Sequence, residues 1–183
     1  MDSLRGKLLL SAPNLFDPNF RRTVLLIAEH TDDGAMGVVL NRPAEVTVGE
    51  AVPDLAWLTV SGEDPIYAGG PVATDSVVIL AEFEQPGLAA ALILKDVGFV
   101  PAETDDPDEL ASGVRRSRVF AGHAGWGPGQ LDAELDENSW IVEPALPEDV
   151  FADDPDALWA AVMRRKGREF RLLANMPLDP SLN

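Results

Sequence analysis

The sequence contains no cysteine, which excludes disulfides, thiolate nucleophiles and cysteine-held zinc or iron–sulfur centres. It also lacks a G-x-S-x-G elbow, an H-E-x-x-H motif and both glycine fingerprints of nucleotide-binding loops. No stretch approaches the ~20 apolar residues that a membrane helix needs, and the apolar run at residues 8–10 is shorter than a secretory leader requires. We therefore expect a soluble cytoplasmic protein with no membrane contact, and we predict no cofactor.

Positive charge is also scarce. The chain has 14 Lys and Arg against 31 Asp and Glu, a formal net charge of -17 at pH 7, and its cations form no obvious stripe. Such a field repels phosphates, so direct nucleic-acid binding and acidic substrates are disfavoured. The length of 183 residues predicts a single domain over residues 1–183, because one hydrophobic core commonly serves chains of up to roughly 250 residues.

Short apolar runs bounded by Gly, Pro, Asn and Asp are typical of strands. They are GKLLLSAP, TVLLIAEH, AMGVVL, PIYAGGPV, SVVILAEF, ALILKDVGFV, RVFAGHAGW and WIVEP. The stretch NLFDPNFRR reads as a loop between the first two. Asp33-Gly34 between the second and third predicts a β-hairpin, and short connections elsewhere favour antiparallel pairing.

Four segments carry helix signals. Thr47 and Glu50 have the spacing of a capping box, and Asp106 followed by proline opens a second short helix. In PGQLDAEL, two leucines share one face while Asp132, Glu134 and Asp136 are expected to point elsewhere. DPDALWAAVMRRKG is the clearest helix, with Asp154 as cap, Gly167 in the left-handed conformation after its end, and a core stripe. That stripe consists of Leu158, Trp159, Val162 and Met163.

The segment GHAGWGPGQ at residues 122–130 joins a strand to a helix. Glycine adopts positive φ without strain, so the cluster predicts a sharp turn between Ala124 and a helix that starts near Pro128. Trp126 is expected to pack under this turn, and Gln130 can bond the loop backbone.

Polar and glycine residues at predicted strand ends form the candidate binding surface, drawn from segments 30–43, 67–72 and 122–130. Its residues are His30, Asn41, Arg42, Gly69, Gly70, His123, Trp126 and Gln130. No catalytic residue and no metal ligand is assigned. The favoured function is a non-enzymatic regulatory or interaction module that binds a protein or a small ligand at this surface.

Two alternatives stay open. The only histidines, His30 and His123, could join carboxylates in a metal-assisted hydrolase, although a structural role is commoner for each. Arg42 could offer a fork of donors to a ligand carboxylate or form a structural ion pair. A DNA-binding regulator is the second alternative, and the acidic charge disfavours it.

The order of DPNF, GAMG with NRP, GGPV and AGWGPGQL along nearly the whole chain resembles the AlgH/YqgE family of bacterial proteins. The resemblance implies a mixed α/β (α+β) fold with a bent, largely antiparallel sheet that forms a partial barrel flanked by helices. It implies no known catalytic residues, and His123 stands where many relatives carry tyrosine or serine. The family's naming as a regulator of alginate synthesis implies a transcriptional link.

Overall fold

A computed structural model describes residues 2–13, 20–59 and 62–176, so most of the predicted loop NLFDPNFRR lies outside the described residues. The strands within those ranges are β1 (Lys7–Ser11), β2 (Val24–Thr31), β3 (Gly34–Val39), β4 (Pro43–Thr47), β5 (Pro65–Ala68), β6 (Val72–Phe83), β7 (Ala91–Leu94), β8 (Val97–Phe99), β9 (Val114–Trp126) and β10 (Trp140–Pro144). The helices are α1 (Val48–Ala51), α2 (Pro107–Gly113), α3 (Gln130–Asp136), α4 (Pro147–Val150), α5 (Pro155–Lys166) and α6 (Arg168–Ala174), with 3-10 turns at Pro53–Leu58 and Pro86–Leu88.

The strands form one sheet in the order β10-β1-β2-β3-β9-β6-β8-β7, and β5 joins β4 to β9. Every described pairing is antiparallel except that of β5 with β9. The sheet is not closed, and helices flank it. The predicted mixed α/β fold, with a bent, largely antiparallel sheet that forms a partial barrel flanked by helices, is therefore confirmed.

The sheet curls so that its two ends share one core. Ile93 of β7, an edge strand, belongs to the same apolar cluster as Leu8 and Leu10 of β1 near the other edge. Across the gap, the Arg5 guanidinium donates to the Leu92 carbonyl. The curl places β7 beside the described residues just before β1. Among the described strands, β7 does not pair with β1 or β10.

Alternate residues of β1 serve opposite faces of the sheet, as the two-residue period of a strand requires. Leu8 and Leu10 lie in the cluster that α5 covers, while Leu9 lies in the cluster that contains Leu131 of α3. The predicted α5 stripe is confirmed as core, since each of its members is at most 4% exposed. They are Leu158, Trp159, Val162 and Met163. Helices α5 and α3 therefore sandwich this part of the sheet.

The predicted hairpin is confirmed as β2 and β3, with one adjustment at the turn. Thr31 pairs with Gly34, so the two-residue loop is Asp32-Asp33. Gly34 has φ of 136° and lies against the Trp126 carbonyl, where a Cβ atom would overlap. A glycine is therefore needed at this point because β3 pairs with the end of β9 directly beside it.

Three of the four helix signals are confirmed at their N-termini. Glu50 N–H donates to Thr47 Oγ1 over 3.3 Å and Thr47 N–H donates to Glu50 Oε2 over 3.1 Å, which completes the capping box. Asp106 and Asp154 cap α2 and α5 through their carboxylates. The left-handed conformation expected for Gly167 is wrong: its φ of 153° and ψ of 179° form an extended, glycine-favouring link to α6, which the sequence reading missed.

Two strand predictions need correction. ALILKDVGFV is a hairpin of β7 and β8, since the chain turns at Lys95 with φ of 45°. β9 continues to Trp126, beyond the expected end at Ala124, and α3 begins at Gln130, beyond Pro128. No helix in the described ranges is long and apolar enough to cross a membrane.

Candidate functional site

A cleft of about 320 Å³ lies between α3 and the sheet, beside the end of β9. Its walls are largely apolar, with a carboxylate and an amide among them. The residues that define it are Phe20, Pro71, Trp126, Gln130, Glu134 and Trp140. It is the place where the sequence-predicted residues Trp126 and Gln130 come together.

The turn from β9 to α3 builds one wall of this cleft. Gly129 has φ of 70°, in the left-handed region, and precedes the first turn of α3. Gln130 accepts the Gly127 N–H at its side-chain oxygen over 3.1 Å, which is the loop bond expected from the sequence. The turn holds Trp126 inward, where its side chain packs with Ala35 and Leu131.

Glu134 is the polar centre of the cleft. Its Oε2 accepts the indole N–H of Trp126 over 3.0 Å and that of Trp140 over 2.8 Å, while Oε1 accepts the Gln130 amide over 3.2 Å. An indole has only this one donor, so both tryptophans have their polar atom satisfied. The sequence predicted only that Glu134 lies off the face shared by Leu131 and Leu135; its carboxylate ties α3 to two strands.

Within the part of the chain that the structure describes, no cationic nitrogen lies within 4.0 Å of the Glu134 carboxylate. None of the ion pairs formed by the described residues includes it. The two buried acids of the described chain differ in this respect: Asp149 pairs with Arg165 over 2.9 Å and Glu82 pairs with Arg116 over 2.7 Å. The cleft thus combines aromatic walls with a carboxylate held only by neutral donors.

His30 lies in a separate, smaller cleft with Ser3, Asp32 and Asp132. Its Nδ1 accepts the Leu4 N–H over 3.0 Å, so the neutral ring carries its hydrogen on Nε2. That nitrogen is 3.9 Å from Asp132 Oδ1, a buried atom without a hydrogen-bond partner among the described residues. The single lone pair of the imidazole is thus occupied by backbone, which leaves none to accept a proton from a substrate.

His123 is half-buried on β9 and faces Val72 in the ladder, apart from the cleft of His30. Over residues 2–13, 20–59 and 62–176, no group of three His, Asp or Glu side chains is placed to hold a metal ion.

Asn41 and Arg42 bond the start of β2 and the segment before it. Asn41 is buried, accepts the Val24 N–H over 3.0 Å and donates to the Arg22 carbonyl over 2.7 Å. Arg42 donates to the carbonyls of Asn41 and Arg21 and to Thr23 Oγ1. Burial lowers the pKa of Arg42, and the charge of Asp156 opposes that shift. The side chain of Arg42 therefore donates to neutral oxygens of the protein. The sequence had left two other acceptors open, the carboxylate of a ligand and that of a structural ion pair.

Gly69 and Gly70 lie against the backbone of β9 at Gly122 and His123. A Cβ atom on either residue would overlap backbone atoms of β9, and Gly70 has φ of 154°. This close approach delivers the next residue, Pro71, to the wall of the cleft.

Sequence reasoning missed Phe20, Pro71, Glu134 and Trp140 as members of the cleft. One signal was available for Glu134, because Gln130 and Glu134 are four residues apart and therefore adjacent on a helix surface. Trp140 could not be found this way, since it reaches Glu134 only through the docking of β10 beside β1.

A run of arginines at the start of β9 was also overlooked. Arg116 bonds Glu82 over 2.7 Å, and Arg115 lies 3.5 Å from the same carboxylate. Arg118 donates to the carbonyls of Val150 and Ala152, and burial lowers its pKa. These arginines therefore bond groups of the protein itself.

Comparison with known proteins relates the whole chain to one group. A family model described as AlgH-like matches residues 8–171. A UPF0301 protein of Streptomyces coelicolor is 42% identical over 190 residues, covering 100% of this chain and 97% of that protein. The crystal structure of a Corynebacterium diphtheriae protein superposes with a TM-score of 0.84 at 32% identity, over 96% of this chain and 93% of that one. The solution structure of the AlgH protein from Pseudomonas aeruginosa gives a TM-score of 0.73 at 32% identity, over 96% and 95% of the two chains.

Proposed function

The chain belongs to the AlgH-like family, and from that premise we propose that it is a non-enzymatic binding protein whose cleft beside Trp126 takes a small organic ligand. Its relatives are named for the family and not for a reaction. The proposal therefore depends on the residues that form the site.

One observation carries the proposal: a single cleft joins aromatic walls to a few fixed polar groups. Its volume of about 320 Å³ is within the common range of roughly 300–1,000 Å³ for small-molecule sites, which are mostly apolar with a few polar groups that orient the ligand. Phe20, Trp126 and Trp140 supply the apolar area, and Gln130 and Glu134 supply the polar groups. The hydrogen bonds of Glu134 hold both tryptophans in place before any ligand arrives, which lowers the entropic cost of binding.

The residues of the cleft favour binding over catalysis. An indole N–H and an amide orient a ligand but exchange no proton with it near neutral pH. The Glu134 carboxylate already accepts three hydrogen bonds from the protein.

We also propose that the protein is cytoplasmic and that it does not bind DNA directly. The net charge is -17, and the arginines of β9 bond carboxylates and carbonyls of the protein itself. If DNA were nevertheless a ligand, its binding constant would fall steeply with added salt as counterions are released.

The test is a screen of neutral and charged aromatic fragments, followed by calorimetric titration of those that raise the melting temperature. At ten times its dissociation constant, a ligand adds about 1.4 kcal/mol of stability, which corresponds to a shift of roughly 3–6 °C at this size. We expect Trp126→Phe to weaken binding of such a fragment, because it removes ring area and one hydrogen bond to Glu134. Gln130→Ala, at an exposed position, should weaken it with little effect on the fold.

The matched control is Trp57→Phe, since Trp57 is 43% exposed and does not line this cleft. Equal loss of binding in Trp57→Phe and Trp126→Phe would contradict the proposed site. Failure of every fragment to bind the parent protein would contradict the proposed function itself.

A further inference from the structure

We propose that the cleft selects an organic cation, meaning an ammonium group on an apolar or aromatic body. This inference rests on the proposed function and names the chemical class of its ligand. The starting observation is that the Glu134 carboxylate lies in the cleft and is bonded by three N–H groups, all of them uncharged.

The indole hydrogen bonds of Glu134 do not require its charge. A glutamine at this position could accept both indole N–H groups at its single amide oxygen, which has two lone pairs. Its NH₂ group would face the Gln130 amide nitrogen, so only the bond from Gln130 would be lost. A neutral side chain of the same shape would therefore keep both indole bonds that tie α3 to β9 and β10, so these bonds do not require the negative charge.

The rest of the described chain shows how its buried acids are neutralised. Asp149 receives two hydrogen bonds from Arg165, each of 2.9 Å, and Glu82 pairs with Arg116. Burying a charge is unfavourable unless a counter-charge accompanies it. Glu134 is partly buried and no cation of the described protein pairs with it, so a cationic ligand would complete the same pattern.

The walls of the cleft favour the same ligand class. Aromatic faces attract cations through the quadrupole of the ring, and tryptophan does so most strongly. Trp126 and Trp140 both line the cleft, together with Phe20. An anion would meet the Glu134 carboxylate and a protein of net charge -17, so it is disfavoured at short and long range.

Three probes of similar shape test the charge preference: 2-phenylethylammonium, 2-phenylethanol and 3-phenylpropionate, titrated by calorimetry near pH 7 in dilute buffer. We expect the cation to bind about tenfold more tightly than the neutral alcohol, and the anion to bind most weakly. In Glu134→Gln, the affinity for the cation should fall toward that for the alcohol, with only the part due to the aromatic walls remaining, while the affinity for the alcohol stays unchanged.

Glu137→Gln is the matched control, because Glu137 is exposed at the end of the same helix and the substitution removes the same charge. It should keep the preference for the cation. An equal loss in both variants would overturn the inference, since the preference would then come from the overall charge of the protein. Equal binding of cation and alcohol to the parent protein would overturn the inference and leave the proposed function standing. If none of the three probes binds while other fragments of the screen do, the inference fails and the proposed function stands; if no fragment of the screen binds either, both fail.

Discussion

Trp126 and Trp140 donate their indole N–H groups to the same carboxylate oxygen, Oε2 of Glu134, over 3.0 and 2.8 Å. The two tryptophans belong to the end of β9 and the start of β10, which are separated in the sheet by β3, β2 and β1. Helix α3 therefore links the ends of two strands that are not neighbours in the sheet. Two of the three aromatic walls of the cleft are thus hydrogen-bonded to a single carboxylate.

The first prediction concerns that carboxylate. Glu134→Ala should lower the free energy of unfolding by about 1–3 kcal/mol, because two nearly buried indole N–H groups lose their acceptor. Glu134→Gln should cost less, since its amide oxygen can still accept both bonds. Urea denaturation followed by circular dichroism measures the change, with Glu137→Ala as the exposed control. An equal cost for Glu134→Ala and Glu137→Ala would show that the hydrogen bonds of Glu134 add no stability.

The second prediction separates Asn41 from the ligand cleft. Asn41→Ala should destabilise the fold by about 1–3 kcal/mol, since the Val24 N–H and the Arg22 carbonyl lose their buried partner. Binding of a cleft ligand to the folded variant should be unchanged, because Asn41 does not line the cleft. Glu45→Ala, exposed on β4, should stay within about 0.5 kcal/mol of the parent. Loss of ligand binding without loss of stability would return Asn41 to the binding surface.

Local signals were sufficient to predict several elements of this fold. The capping box of Thr47 and Glu50, the cap of α5 at Asp154 and the hairpin of β2 and β3 depend on residues close together in the sequence. Each could be inferred because the partners are fixed by spacing alone. The same reasoning gave the wrong conformation for Gly167. The next helix, α6, begins immediately after this residue, and Gly167 forms an extended link between the two helices.

The site was harder to predict from the sequence than the fold, because its residues come together through contacts between distant parts of the chain. Trp126 and Gln130 were identified from their own turn, but their partner Trp140 reaches them through the pairing of β10 with β1. Gly69 and Gly70 suggested a ligand surface, and the structure places them against the backbone of β9 instead. A glycine motif gives the same sequence signal whether a ligand or another strand approaches it closely.

The third prediction tests that close approach. Gly70→Ala should destabilise the protein by roughly 1–3 kcal/mol, since its φ of 154° disfavours any side chain and the new Cβ would overlap His123 backbone atoms. Gly87→Ala is the matched control, because a Cβ there meets nothing within 4 Å. It should be neutral or stabilising by up to about 1 kcal/mol. Thermal unfolding of both variants measures the difference, and similar melting temperatures would contradict the packing role of Gly70.

The last prediction uses Tyr67, the only tyrosine in the chain. It is 4% exposed and contacts both the Phe120 ring and the Arg118 guanidinium. Burial raises its pKa above the ordinary value of 10.0, against a smaller lowering by Arg118. The folded protein therefore holds the phenol proton more tightly than the unfolded chain does. This contribution to stability is fully present below pH 10.0, and it is lost as pH rises through the folded pKa.

Because there is one tyrosine, the ultraviolet absorbance of tyrosinate reports its titration directly. The midpoint should lie above that of the protein in denaturant, and the unfolding free energy should fall over the same interval of pH. In Tyr67→Phe, the part of that fall due to the phenol should disappear, while the contributions of lysine and arginine remain. A folded-state midpoint at or below the denatured one would mean that the Arg118 cation, and not burial, dominates the environment of Tyr67.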